Sequence, residues 1–76
     1  MNLANKFLIK WMHSGAQKAQ FVDAVSLDDV INQVIELARS MKTQVEIHRA
    51  AKKLGTVKEI EPGKYRFEPD MENWAV

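Results

Sequence analysis

Thr43-Gln44-Val45-Glu46-Ile47-His48-Arg49-Ala50-Ala51-Lys52-Lys53-Leu54-Gly55 is the stretch on which the reading of the fold turns. It opens with Thr-x-x-Glu, the spacing of a capping box, and closes on a glycine of the kind that follows helices. Between them, Ile47, Ala50, Ala51 and Leu54 recur at i, i+3, i+4 and i+7, one face of a helix. His48, Arg49, Lys52 and Lys53 fall on the opposite face, so the spacing predicts a helix anchored on one side and cationic on the other. The rival is a strand over Thr43 to Arg49, because Val45 and Ile47 alternate with polar residues. The cap spacing, Ala50-Ala51 and the apolar stripe favour the helix; Val45 stands against it, on the basic face.

The preceding segment, Leu27 to Met41, reads as a helix more plainly. Ser26 suits its N-cap, and Asp28 and Asp29 stand in the first turn, where carboxylates meet the positive end of the helix dipole. Val30, Ile31, Val34, Ile35, Leu37, Ala38 and Met41 cover about 160° of the helical wheel, a face wide enough for a central helix between two neighbours. Almost no linker separates it from Thr43, so two helices would meet in a sharp turn, the helix-turn-helix pattern, here without a glycine in the turn.

Further out, Asn2 to His13 carries Leu3, Ala4, Phe7, Leu8, Trp11 and Met12 at helical spacing, with Lys6, Lys10 and His13 opposite and Ile9 beside them. This predicts a core-facing first helix stopped at Ser14-Gly15, with a membrane-surface helix as the alternative. Ala16 to Val25 fits a short strand or a short helix equally. On the C-terminal side, Thr56–Ile60 and Lys64–Glu68 are β-prone runs joined by Glu61-Pro62-Gly63-Lys64, which suits a type II turn in a bulged hairpin. Pro69 ends the hairpin, and residues 69–76 form an acidic tail containing Trp74.

At 76 residues the chain is the size of one small domain, taken here as residues 1–68 with the tail appended. An apolar content of 46% is ordinary for a folded protein. The chain has no cysteine, which excludes disulfides and cysteine-ligated metal sites and suits a cytosolic location. No apolar run is long enough to span a bilayer, and the lysines within the first dozen residues do not resemble a signal peptide.

The overall charge of +1 hides an uneven distribution. Residues 39–66 carry a net +5, between flanks of −1 and −3. Clustered cations on one segment are the footprint of a polyanion partner; a merely solvated face is the plainer alternative.

The order of helix, short segment, central helix, tight turn, basic helix and basic-tipped hairpin resembles a winged helix-turn-helix. The Ser26-capped helix, the Thr43-x-x-Glu46 cap, the Ile47/Ala50/Ala51/Leu54 stripe and the hairpin around Pro62-Gly63 carry the resemblance. It implies an α+β, mainly α fold: a compact three-helix domain with a C-terminal β-hairpin wing. It also implies a small regulator that binds double-stranded DNA. Gln44, His48, Arg49, Lys52 and Lys53 would then lie at the major groove, with Lys58, Lys64 and Arg66 on the backbone. Arg49 suits guanine and Gln44 adenine. Glu46, an acid near the start of the presumed recognition helix, departs from that pattern. So small a domain would be expected to dimerise on DNA, with Ile9, Trp74 and Val76 as exposed candidates for the contact.

His13 and His48 lack carboxylates at ligand spacing, there is no glycine-rich phosphate loop, and no serine stands in a nucleophile elbow. Neither an enzyme, a cofactor nor a metal is therefore expected. Two other functions compete with DNA binding. One is a protein–protein interaction module, an adaptor or a small inhibitor of the kind phages and mobile elements encode. The other is an RNA-binding or other α+β module in which residues 43–49 form a strand.

Overall fold

The computed structural model describes residues 5–70. The elements run β1 (Asn5–His13), β2 (Ala16–Ala24), α1 (Leu27–Met41), β3 (Val45–Arg49), β4 (Lys52–Glu61) and β5 (Lys64–Pro69). All strands join one antiparallel sheet in the order β2-β1-β3-β4-β5. The mainly helical, three-helix, winged expectation is therefore wrong: among the described residues there is one helix, packed on a five-stranded sheet.

The first presumed helix is strand β1. Its residues carry two periods at once, and the period of two wins. Phe7 and Ile9 are buried and Trp11 is half-buried, while Lys6, Leu8, Lys10 and Met12 alternate with them on the other side. Ser14-Gly15 is not a helix stop but a two-residue hairpin turn. Both residues have positive φ, 52° and 80°, the pattern of a type I′ turn whose twist matches the flanking strands. The segment from Ala16 resolves as strand β2, paired with β1 along its whole length.

Helix α1 occupies the span the sequence indicates. Ser26 Oγ accepts from the Asp29 N–H at 3.1 Å, and the Asp29 carboxylate accepts from the Val25 N–H at 3.0 Å. Val30, Val34 and Ala38 are fully buried along one line and meet Phe7, Ile9, Val45, Ile47 and Val57 from the sheet. The helix ends where Lys42 turns left-handed (φ 56°), with the Thr43 N–H reaching back to the Ala38 carbonyl at 3.2 Å. That reversal returns the chain to the sheet. The close joint before Thr43 is thus a helix-to-strand connection, not a helix-turn-helix.

The Thr43–Gly55 segment is two strands and a turn. Val45 and Ile47 point into the core, so the alternation overrides the helical stripe. Ala50 and Ala51, at φ 52° and 68°, form a second two-residue hairpin turn, with Arg49 paired to Lys52. Thr43 and Glu46 make no cap; Glu46 lies within β3. Gly55 is not a helix-ending glycine either. It lies opposite Ile47 and Pro69, where a side chain would collide with the Glu68 carbonyl and the Phe67 ring. A bulge at Leu54 lets Lys53 pair with His48 beside it. The hairpin over residues 56–68 is present as β4 and β5. Gly63 has φ 80°, and the register shifts between Glu59 and Glu61.

Ile9, named above as an exposed dimer residue, is completely buried beside Ile47. Trp74 and Val76 lie outside the described residues.

Two stability predictions follow from these backbone positions. Left-handed alanines cost about 1–2 kcal/mol each, so Ala50→Asn combined with Ala51→Gly should raise stability by about 1–2 kcal/mol in urea melts. Gly55→Ala should lower it by about 2 kcal/mol or more, because the clash with backbone has no side-chain escape.

Candidate functional site

α1 covers one face of the sheet; among the described residues no element packs on the other. Alternation places Lys6, Leu8, Lys10 and Met12 of β1 on that uncovered face. Register sets Asp23, Phe21, Ala19 and Gln17 of β2 beside them, with His48 and Glu46 of β3 opposite Leu8 and Lys10. Phe21 is 63% exposed and Met12 56%.

A basin of about 580 Å³ opens on this face. Leu8 and Phe21 form its apolar part; Lys6, Lys10, His48 and Lys53 surround them, and Arg49 with the Ala50-Ala51 turn closes one end. Among the described residues no carboxylate lines it. The Lys6 ammonium stands 5.7 Å from the centre of the Phe21 ring and 4.0 Å from Asp23. Lys10 makes no ion pair among the described residues. His48 is largely buried and bonds through Nε2 to Glu46 Oε1 at 2.9 Å; because an ionised carboxylate only accepts, that nitrogen carries a proton. The other Glu46 oxygen is 3.9 Å from Lys53 Nζ. Glu46 thus ties the His48 ring and the Lys53 ammonium together from outside the basin.

The sequence-predicted cations divide among several places. His48 and Lys53 line the basin. Arg49 closes its end, but its guanidinium reaches the helix-covered side. There it stacks 5.4 Å from the Phe7 ring centre and donates to Asn5 Oδ1 at 3.0 Å. Lys52 is exposed just past the turn. Lys58 and Arg66 are opposite each other on the uncovered face, but both bind Glu68, at 3.1 and 3.2 Å. Lys64 pairs with Glu61 at the hairpin tip, at 3.4 Å. Gln44 borders a separate small cleft of about 160 Å³ beside Lys10, Met12 and Gln17. No basic helix exists to carry these residues into a groove, so the recognition-helix assignment fails.

Lys6, Leu8, Lys10 and Phe21 are the basin residues that the helical reading missed. Their signal was present as alternation: Lys6-x-Leu8-x-Lys10 interleaves with Phe7-x-Ile9-x-Trp11. Among the described residues no group of three or more His, Asp or Glu side chains is arranged to hold a metal ion. Nor, among the described residues, is any helix long and apolar enough to cross a membrane. Compared with known protein families, curated proteins and solved structures, the chain matches none.

The Glu68 carboxyl is held below the usual carboxylate range, first by its hydrogen bond from Lys58 and then by that from Arg66. A carboxyl more acidic in the folded than in the unfolded chain stabilises above its unfolded pKa, and that contribution disappears as pH falls through the folded value. Glu68→Gln should therefore flatten the acid side of the stability–pH profile, measured by thermal melts from neutral pH downward.

Proposed function

We propose that the protein binds single-stranded nucleic acid, RNA foremost, across the uncovered face of its sheet. The observation that carries this reading is the basin's composition: an exposed aromatic ring and a leucine ringed by lysines, with no carboxylate among the described lining residues. Unstacked bases have apolar faces that lie on aromatic side chains, and the phosphates between them need cations at the rim. Phe21 supplies the stacking surface, Lys6, Lys10 and Lys53 the phosphate contacts, and His48, held by Glu46, a ring at the edge of the platform. Lys6 over the Phe21 ring occupies the place an incoming base would take, so it swings aside toward phosphate on binding. A pleated open face accommodates a splayed single strand, whereas the rigid major groove of a duplex calls for a protruding helix or ribbon. A cytosolic location, suited by the lack of cysteine, belongs to the same proposal.

A labelled oligouridine in low salt should show saturable anisotropy with the full chain. With three phosphate contacts, log K should fall with log salt at a slope of about −2. Lys10→Glu combined with Lys53→Glu should weaken binding at least about tenfold, and Phe21→Ala also about tenfold through lost stacking. Circular dichroism would check that each variant keeps its fold. No binding at about 50 mM salt, or binding unmoved by these substitutions, would overturn the proposal.

A further inference from the structure

The two edges of the sheet are treated differently. β5, at one edge, is six residues long, carries Lys64, Arg66 and Glu68 at alternate positions and ends in Pro69. Charges, shortness and proline are the usual means of keeping an edge from pairing with another chain. β2, at the other edge, has less of this protection. It runs nine residues without proline or bulge, and Lys18 and Asp23 are its only charges. Every residue from Ala16 to Phe21 is exposed.

We propose that β2 pairs antiparallel with β2 of a second copy of this chain, giving a two-fold symmetric dimer with one continuous sheet. The inference goes beyond nucleic-acid binding and does not depend on it.

The backbone sets which residues can pair. Across the tight Ser14-Gly15 turn, His13 and Ala16 form the first hydrogen-bonded pair of the hairpin, so the even-numbered residues of β2 point their N–H and C=O groups at β1. The outward groups belong to Gln17, Ala19, Phe21 and Asp23. A two-fold axis through Gln20 aligns the strand with its copy over its full length, Ala16 against Ala24. It sets Gln17 opposite Asp23 and Ala19 opposite Phe21; the Asp23 carbonyl already accepts from Gln33 Nε2 of α1 at 3.3 Å, and the remaining outward groups are satisfied by about six inter-chain bonds.

Side chains agree with this register. The exposed Phe21 ring lies over Ala19 of the second copy, the smallest neighbour the strand offers. Lys18 faces Val22 and Asp23 faces Gln17, so no like charges meet. Antiparallel pairing about an axis normal to the sheet keeps both uncovered faces on the same side, which sets the two basins side by side across the junction.

The absence of cysteine makes the register directly testable. Gln20 meets its own copy on the axis in a non-hydrogen-bonded pair, with Cα atoms about 4.5 Å apart, within disulfide range. Gln17 is about 20 Å from its copy. Under mild oxidation, folded Gln20→Cys should form a covalent dimer and Gln17→Cys should not. In sedimentation velocity across a wide concentration range, the unmodified chain should show a reversible monomer–dimer equilibrium. Gln17→Lys, facing Asp23, should tighten it about three- to tenfold, and Gln17→Glu should loosen it by a similar factor. A chain that stays monomeric, with Gln20→Cys oxidising no faster than Gln17→Cys, overturns the proposal. So does a dimer indifferent to the charge at residue 17. Neither outcome touches the lysine substitutions that test oligouridine binding.

Discussion

The fold hangs on a seam three residue pairs long. Among the described residues, the backbone register of β1 with β3 covers Leu8–His48, Ile9–Ile47 and Lys10–Glu46, with Arg49 adding a side-chain hydrogen bond to Asn5. On one side of that seam is the long β1–β2 hairpin; on the other is the β3–β4–β5 meander. Each hairpin is held by local turns, but neither would bury an apolar face alone. The middle pair supplies what joins them: Ile9 and Ile47 are wholly buried beneath α1, each burial favourable by about 1.5–3 kcal/mol. The helix enters from β2 and leaves to β3, passing from one side of β1 to the other. It therefore covers the seam and ties its two sides covalently.

The same seam generates the candidate site. Its outer pairs put Leu8, Lys10, His48 and Glu46 on the face the helix does not reach. Among the described residues a single helix covers one face of the sheet, and an antiparallel sheet tolerates the other being wet. The residues there are not constrained by packing against α1. Two regions of this face differ. Around Glu68, Lys58 and Arg66 are neutralised locally; around Leu8 and Phe21, Lys6 and Lys53 lie 4.0 and 3.9 Å from Asp23 and Glu46, and Lys10 has no ion pair among the described residues.

Much of the helical misreading comes from turns that hide their identity. A two-residue hairpin turn of this twist ordinarily announces itself with asparagine and glycine. Ala50 and Ala51 instead look like the strongest helix formers in the segment, and only the pairing of β3 with β4 holds them in the left-handed region. Lys42 conceals the helix end in the same way. In β1, the run of apolar residues satisfies both periods, so periodicity alone cannot choose. By contrast α1 was legible to the residue, because Ser26, Asp28, Asp29 and the wide apolar face all point the same way. Pro62-Gly63 was equally legible, since those two residue types specify a turn by their own dihedral limits. Of the basin, His48, Arg49 and Lys53 could be read as cations in search of a partner; Lys6 and Lys10 were legible as sharing a side, but not that Leu8 and Phe21 share it with them, which depends on the strand assignment.

Local chemistry thus determined the helix, the last hairpin, the cationic middle of the chain and the absence of disulfides, since each rests on residues close in sequence. Tertiary structure alone decided that Thr43–Gly55 is a hairpin, that Ile9 is core, and which cations share a face. A strand acquires its sides only from its neighbours, and here those neighbours are dozens of residues away.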